Sequence, residues 1–387
     1  MPSMAAHTKT SAGTAPVLTP RALGRATLER QLLLRRTAMS AKDAVGHLVG
    51  LQAQNTRPPY YQLLARLKGF RPAELAALME SREVVRIVTL RSTIHTHTAE
   101  DALTLRPLVQ PARDRELGVF RKGLTGVDLD RLAELSRAYV EEQPRTPKQI
   151  RERLLTEWPE ADPRALSTAA RCLLPLVQVT PRGVWGHSGG VALTTAEHWL
   201  GRTTLPAPAP DTAVLRYLGA FGPASVKDMQ SWAGLTRLGE VFERLRPRLV
   251  TFRDENGVEL FDLPDAPRPA EDTPAPPRFL PEFDNVLLGH ADRTRIIPLH
   301  LRGLNGVGNQ TYGSVLVDGF FAALWRLEKT PRDAPAVLTV QELRPLSAAE
   351  RDALTDEAAA LLSVMVPATA DGTGHDIRFA RFVDLGR

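Results

Sequence analysis

The feature of this sequence that most constrains its fold is an order of predicted elements that occurs three times. Stretches with the hydrophobic period of helices come first and a pair of β-rich stretches follows, within residues 40–100, 127–200 and 211–263. In the third occurrence the β-rich pair flanks Asn256-Gly257, a dipeptide that favours a tight hairpin turn. Helices followed by a β-hairpin in this order are typical of a winged helix-turn-helix. The order therefore predicts an α+β fold with three tandem winged helix-turn-helix units.

Capping residues and proline-rich breaks give the boundaries of these units. Thr146 and Ser225 stand where helix N-caps belong. Two stretches, "TTLPAPAPD" and "LPDAPRPAEDTPAPPRFLP", favour extended spacers. The sequence thus predicts a disordered leader, three winged helices, a Pro-rich linker and a C-terminal domain, over residues 1–17, 18–122, 123–205, 206–265, 266–277 and 278–387.

The C-terminal part has a different character, because it is rich in apparent strands. One helix, "SAAERDALTDEAAALLSVM", interrupts them, and Trp325 is expected in the core. The predicted strands are "NVLLG", "GSVLVDGFFAALWRLE", "AVLTVQEL" and "DIRFARFV". We expect a small β-rich domain, built as a barrel or as a sheet.

Composition limits the class of protein and its partners. No apolar run reaches the length of a membrane span, and the N-terminal stretch lacks the apolar core of a signal peptide, so a cytoplasmic location is expected. Cys172 is the only cysteine, which excludes an intrachain disulfide and a cysteine-based zinc site. Basic residues exceed acidic ones by 49 − 44 = 5, and all but seven of the 49 are Arg. This excess of Arg has two alternative explanations: codon bias in a GC-rich genome, or a basic surface that binds nucleic acid.

The stretch "LVGLQAQNTRPPYYQLL" places two glutamines, Gln52 and Gln54, where an apolar run breaks off. On a helix two residues at this spacing point away from each other, whereas in an extended segment they lie on one face. Pro58 biases Arg57 away from helical backbone, so a helix is expected to end here. The pair is either a solvated helix end or a device that holds something polar.

Four motifs give the chain a resemblance to a known family over roughly residues 18–387. They are "GLQAQNTRPPY", "RSTIHTHT", "PEFDNVLLGHADRTRI" and "VLVDGFFAALWRLE", and with the three winged helices they resemble the bacterial AlkZ/YcaQ-type DNA glycosylases. Gln52-Ala53-Gln54 matches the Gln-x-Gln branch, which is associated with self-resistance to azinomycin-like DNA-alkylating natural products. The resemblance implies hydrolysis of the N-glycosidic bond of N7-alkylated guanine by Gln52 and Gln54 on a concave DNA-binding surface, with no metal or cofactor. The expected partner is double-stranded DNA carrying alkylated or crosslinked guanine, bound by a nucleoid-associated monomer.

The chemistry of a glutamine pair agrees with a cationic lesion. A Gln amide is no general base at neutral pH, but it can orient a water molecule and place its carbonyl dipole beside a developing oxocarbenium ion. An N7-alkylated purine carries a positive charge and already leaves easily, so a weak catalyst suffices, while neutral lesions are expected to be poor substrates. A lyase would need an amine nucleophile, and no Lys lies near the motif. The alternative is a winged-helix DNA-binding protein without catalysis.

Further residues are candidates for DNA contact, each with a structural alternative. Arg57 and Arg91 belong to the motifs. His95 and His97 alternate on a predicted strand, where His95 is a candidate DNA contact. A metal pair is the alternative, but no third ligand has an obvious spacing. The turn "GHADRTR" places His290, Arg293 and Arg295 either on phosphates or in an internal ion pair. The glycine-rich stretch 300–313, with Asn305 and Asn309, is either a hairpin tip that enters a groove or a loop. If a carboxylate assists catalysis, Asp284 and Asp318 are the candidates.

Overall fold

The computed structural model describes residues 15–203, 210–307, 310–328, 335–366 and 375–385. The predicted leader falls almost wholly outside these residues, as does most of the first proline-rich break. Val17, however, which we assigned to the leader, already belongs to a strand. The α+β fold class is confirmed.

The first segment contains the helices and the hairpin of the first predicted winged helix. Two features frame the glutamine motif: Gly50, in the left-handed region at φ +92°, follows the end of a helix, and Pro58 and Pro59 begin the next one. The elements are β1 (Val17–Leu18), α1 (Pro20–Arg30), α2 (Ala41–His47), β2 (Leu51–Gln52), α3 (Pro58–Arg66), α4 (Pro72–Glu80), β3 (Val84–Val88), β4 (Ile94–Thr98), α5 (Ala99–Leu108) and α6 (Gln110–Val119).

The second and third segments repeat the order of three helices and a pair of strands. Thr146 and Ser225 are N-caps, as predicted, and each also forms a capping box. The second segment contains α7 (Leu129–Glu142), α8 (Pro147–Leu155), α9 (Pro163–Leu173), β5 (Leu176–Gln178), β6 (Leu193–Thr195) and α10 (Ala196–Leu200). The third contains α11 (Pro210–Phe221), α12 (Val226–Ala233), α13 (Gly239–Leu245), β7 (Val250–Asp254) and β8 (Glu259–Asp262).

Strand pairing joins parts of the chain that the sequence pattern separates. The hairpins of the first two segments form one five-stranded sheet in the order β2-β4-β3-β5-β6, with Ile87 of β3 opposite Val177 of β5. The third hairpin, β7–β8, gains β1 as a parallel third strand. The first two segments are thus continuous through their sheet.

Helix α1 holds the Pro-rich linker against the third segment. The guanidinium group of Arg30 makes a buried bidentate ion pair with Asp262, at 2.6 and 2.8 Å, and also donates to the carbonyl of Pro267. Arg25 donates through Nε to the carbonyl of Thr273 at 2.7 Å. Linker residues that composition alone predicts to be a spacer are therefore fixed by arginines of a distant helix.

The C-terminal part is an open sheet with a helix, within the described residues. The sheet has the order β15-β14-β13-β12-β9, a short hairpin pairs β10 with β11, and α15 packs against β9 and β15. Trp325 is buried and donates its indole N–H to the carbonyl of Leu280, which confirms its predicted place in the core. The elements are β9 (Arg278–Leu280), α14 (Asn285–Leu288), β10 (Gly306–Val307), β11 (Gln310–Thr311), β12 (Gly313–Val317), β13 (Phe320–Leu327), β14 (Val337–Glu342), α15 (Ala348–Met365) and β15 (Asp376–Phe379).

One predicted strand is wrong. The stretch "NVLLG" forms the short helix α14, because Asp284 caps its N-terminus by accepting a hydrogen bond from the N–H of Val286 at 3.1 Å. A run of three apolar residues has no period that separates a strand from a buried helical turn. In the described parts of the chain no helix is long and apolar enough to span a membrane.

Candidate active site

The glutamine motif begins on extended backbone at Gln52, and Gln54 lies in the bend that follows this strand. Gln52 of β2 pairs with His95 of β4, and the N–H of Ala53 donates to the carbonyl of Ile94 at 2.8 Å. The side chain of Gln54 then continues the ladder, because its Oε1 accepts a hydrogen bond from the N–H of Ile94 at 3.1 Å. The backbone leaves the helix through Gly50, three residues beyond the end of α2 at His47.

The reason we gave for the end of the helix was partly wrong. Arg57 has helical backbone angles, φ −84° and ψ −35°, although proline follows it. The two prolines begin α3 instead of forbidding a helix, because proline suits the first helical turn, where its missing N–H has no intrahelical partner. The motif consequently lies in a short connection between two helices, which starts as the strand β2 and continues as a bend.

An arginine fixes the side chain of Gln52. Gln52 is only 4% exposed, and its Oε1 accepts a hydrogen bond from Arg91 at 2.7 Å. The other terminal nitrogen of Arg91 donates to the carbonyl of Trp232 in the third segment at 2.6 Å. Burial and the nearby charge of Arg293 lower the pKa of Arg91 to about 10, so it remains a cation at neutral pH. Arg91, predicted as a DNA contact, instead joins Gln52 to the third segment.

These partners determine how both amides are oriented. A guanidinium group and a backbone N–H are donors only, so the atoms that face them in Gln52 and Gln54 must be the carbonyl oxygens. Each oxygen keeps a second lone pair, and each NH₂ group makes no hydrogen bond with the described residues. Gln54 is exposed while Gln52 is buried. Each amide therefore has a donor and an acceptor left for a water molecule or a sugar oxygen, with Gln54 on the solvent side.

The two histidines below the motif are buried. His95 is 1% exposed, and its ring stacks on that of His97 with centroids 5.5 Å apart. Nδ1 of His95 lies 3.0 Å from the carbonyl of Thr93, and Nε2 of His97 lies 2.8 Å from Oγ1 of Thr89. Burial lowers the pKa of both rings, that of His97 to about 4, so both are neutral near pH 7. The ring of His95 is enclosed by the sheet and its neighbours, which leaves almost no surface for the DNA contact predicted for it.

Asp284, a candidate carboxylate, is buried next to the motif and is held in an ion pair. It is fully buried, and both its oxygens accept hydrogen bonds from Arg66, at 2.9 and 2.8 Å. The next residue, Asn285, donates to the carbonyl of Gly50 at 2.7 Å. The ion pair and the amide fix the loop that leads into the glutamines, and no oxygen of Asp284 faces the solvent.

Asp318 and the "GHADRTR" turn lie outside this cluster. Asp318 makes ion pairs with Arg21 and Arg25 at the turn between β12 and β13. His290 and Arg295 are buried: Nε2 of His290 is 2.9 Å from the carbonyl of Phe221, and Arg295 donates to the carbonyl of Pro223. Both groups face the interior, which leaves little surface for the phosphate contacts predicted for them.

Three predicted DNA contacts remain accessible. Arg57 is exposed, with its guanidinium 5.7 Å from the ring centroid of Trp185, and Arg293 is exposed beyond the buried turn. Asn305 is partly exposed at the start of the β10–β11 hairpin. Asn309 lies outside the described residues.

A cavity that the sequence did not indicate opens beside Gln54. Its volume is about 330 Å³, and it lies where the first and second segments share their sheet. Its wall is mostly apolar with a few cationic and amide side chains, and the residues that form it are Gln54, Ile87, Val88, Ser92, Ile94, Arg106, Pro147, Arg171, Leu174, Leu176, Gln178, Arg182, Val191 and Leu193. No local motif could have revealed it, because strand pairing between segments creates it.

Comparison with known proteins now places the chain in a class of enzymes, the DNA glycosylases. The family described as "DNA glycosylase AlkZ-like" matches residues 45–364, and the chain belongs to this family. A similar relative is a Streptomyces sahachiroi protein named interstrand DNA cross-link repair glycosylase, 24% identical over 360 residues, which are 84% of this chain and 92% of the relative.

A solved structure shows the same fold. The structure of Streptomyces sahachiroi DNA glycosylase AlkZ superimposes with a TM-score of 0.74 over 94% of this chain and 100% of its own, at 19% identity. The predicted family and the predicted enzyme class are both confirmed.

Proposed function

We propose that this DNA glycosylase hydrolyses the N-glycosidic bond of N7-alkylated guanine, and that bulky natural-product adducts and interstrand crosslinks are among its substrates. The observation that carries the proposal is the Gln52-Ala53-Gln54 segment at the end of β2, in which Arg91 and the N–H of Ile94 fix both side-chain oxygens. Oriented amide dipoles need no reorganisation when charge develops at the sugar.

In the proposed mechanism the positive charge of the lesion makes the base a good leaving group, and the two amides orient the water and stabilise the charge on the sugar. Gln54, on the solvent side, accepts a hydrogen bond from the attacking water through its free lone pair, and Gln52 directs its polarised amide toward the oxocarbenium ion. A general acid or base is worth roughly 10²–10⁴-fold in rate. Of the two carboxylates considered, Asp284 is paired with Arg66 and Asp318 with Arg25, so neither serves as one. A substrate whose purine is already cationic does not need that contribution.

Binding to DNA is proposed to depend on phosphate contacts. The exposed Arg57 and Arg293 are available for them, and the β10–β11 hairpin with Asn305 is placed to probe a groove. We propose that the protein acts as a monomer on the chromosomal DNA of the cytoplasm. The three helix-and-hairpin segments would serve as winged helices along one duplex.

The crosslink part of the proposal rests on the relative and on a steric argument. The relative named above is an interstrand DNA cross-link repair glycosylase. A crosslinked base cannot be turned out of the stack without its partner, so an enzyme for such lesions has to reach the glycosidic bond in a groove. An exposed Gln54 on a surface segment is compatible with that approach.

The test is base release from duplexes that carry single defined lesions. We expect wild-type protein to release N7-methylguanine and a bulky N7-guanine adduct, and to cut the glycosidic bond on one side of an N7–N7 crosslink. It should act poorly on uracil and 1,N6-ethenoadenine. Gln52→Ala and Gln54→Ala should each slow release about 10-fold or more, which is about 1.4 kcal/mol, with little change in DNA affinity. Gln54→Asp should stay active on the cationic lesions. Gln143→Ala, an exposed glutamine at the end of α7, is the matched control.

Three outcomes would contradict the proposal. Wild-type release rates in both motif variants would remove the assignment of the glutamines. Efficient action on uracil with none on N7 adducts would remove the substrate class. Binding without base release, with preference for one palindrome, would indicate a non-catalytic winged-helix protein.

A further inference from the structure

We propose that the cavity beside Gln54 is a subsite for a neutral, largely apolar substituent that an alkylated guanine carries on N7. The inference rests on the proposed function, since it assigns a place for the part of a bulky adduct that a methyl group lacks. It concerns substrate selection and leaves the role of the glutamines unchanged.

The position of the cavity is the first argument. Gln54 forms part of its wall, so a group attached to the purine enters it while the glycosidic bond stays near the glutamine amide. The first segment contributes Val88 and Ile94 to the wall, and the second contributes Leu176 and Leu193. At about 330 Å³ the cavity reaches the size of small-molecule sites, roughly 300–1,000 Å³.

The charge of the wall is the second argument, and it disfavours a cation as the occupant. Arg106, Arg171 and Arg182 all line the cavity. A cationic N7-alkylated purine inside it would meet like charges, which disfavours the base itself as the occupant. A neutral substituent meets no such repulsion, and its apolar surface matches the aliphatic wall. The purine ring therefore stays at the mouth, beside Gln54.

A hydrogen-bond donor in the wall adds a requirement on the substituent. Arg182 lines the cavity, and one of its terminal nitrogens donates to the carbonyl of Gly189 at 3.0 Å. Its other terminal nitrogen makes no hydrogen bond within the described part of the chain, so an acceptor on a substituent can take a charge-assisted hydrogen bond from it. By contrast, Arg106 already donates to Cys172 and Gln110. The substituent that fits best carries a carbonyl oxygen on an apolar or aromatic body.

The test compares three N7-guanine adducts in one duplex: methyl, benzyl and phenacyl, of which phenacyl adds a carbonyl to an aromatic ring. Val191→Trp fills the cavity from a partly buried position outside the strands, and Val119→Trp, at an exposed position on α6, is the matched control. We expect Val191→Trp to lower the single-turnover release of benzyl- and phenacylguanine at least 10-fold while methylguanine changes less than 3-fold. The control should leave all three rates unchanged.

A second variant tests the donor without added bulk. Arg182→Met should lower release of phenacylguanine several-fold more than release of benzylguanine, and should leave methylguanine alone. Affinity for duplexes with 2′-fluoro analogues of the same adducts, which resist hydrolysis, gives a readout that does not need turnover. Wild type should bind the duplex with the phenacyl adduct more tightly than the duplex with the methyl adduct, and Val191→Trp should abolish this difference in affinity.

The outcomes separate this inference from the proposed function. If wild type releases none of the adducts, the proposed function fails, and the affinity series still tests the cavity. If wild type is active and both variants treat the three adducts alike, the subsite is overturned while the glycosylase stands. Greater loss of methylguanine than of the larger adducts in Val191→Trp would place the purine in the cavity and overturn the inference as well.

Discussion

Arg91 offers the sharpest test of how the active site is built, because two roles for it predict different measurements. Met in its place keeps the length of the side chain and removes every donor. Gln52 then loses the hydrogen bond at 2.7 Å that fixes its oxygen, and the carbonyl of Trp232 loses its donor at 2.6 Å. As a positioning residue Arg91 acts through Gln52, so its loss should slow the chemical step and leave DNA affinity nearly unchanged.

The magnitude follows from the kind of hydrogen bond that is lost. Hydrogen bonds to charged groups contribute about 1.5–3 kcal/mol, and each ~1.4 kcal/mol is tenfold in rate. If that energy holds Gln52 in its working orientation, Arg91→Met should lower single-turnover release of N7-methylguanine by about 10- to 100-fold. Arg91→Lys should fall between wild type and Arg91→Met, because one ammonium group replaces a fork whose two nitrogens reach two separate oxygens.

Salt dependence distinguishes this role from a phosphate contact. Loss of one phosphate contact reduces the slope of log affinity against log salt by about 0.9. We expect no such change for Arg91→Met, and we expect it for Arg57→Met, an exposed arginine near the same motif, as the matched comparison. A wild-type rate of base release by Arg91→Met under saturating enzyme would refute the positioning role of Arg91. A salt slope reduced by about 0.9, with weaker DNA binding accounting for the whole loss of rate, would refute it equally.

Two further predictions concern stability. Asp284→Asn removes the charge that compensates the fully buried Arg66, so it should lower the free energy of unfolding by about 3–5 kcal/mol in denaturant titrations; a change below about 1 kcal/mol would contradict the buried ion pair. His97 has a folded pKa of about 4 against an ordinary 6.5 because burial disfavours its charged form, so the unfolded chain binds more protons between these values. The contribution of neutral His97 to the free energy of unfolding is complete above about pH 6.5. It is lost progressively as the pH falls toward 4, by up to about 3 kcal/mol. His97→Gln should thus show a shallower fall in melting temperature from pH 6.5 to 5 than wild type, and His187→Gln, at an exposed position, should match wild type; equal slopes for wild type and His97→Gln would contradict the prediction.

Local signals in the sequence were sufficient for much of the fold. Helices with a clear apolar period were predicted where they occur, and the N-cap residues Thr146 and Ser225 marked two helix starts. That the motif leaves helical backbone was also predictable, since Gln52 and Gln54 cannot share a target on a helix. These features depend on residues within a few positions of one another.

Features that depend on distant residues were missed. The alternation of His95 and His97 shows that they share a face, but it does not show that the face is covered. The partner of Asp284 is Arg66, more than 200 positions away, and no spacing rule relates them. The arginine excess likewise gave no hint of its use, since Arg30 and Arg66 are internal ion-pair partners and add nothing to a basic surface.

The single sheet that the first two segments share has a mechanical consequence. Segments joined by a flexible linker can each adjust to a bent duplex, but β3 and β5 are hydrogen-bonded to each other, so the first two segments cannot rotate independently. Any mismatch between this rigid platform and a duplex distorted by a bulky adduct has to be absorbed by the DNA. The energy needed to bend or untwist DNA depends on its sequence and on the lesion. Lesions that already soften the helix should therefore be found sooner, which makes the stiffness of the damaged duplex itself part of recognition.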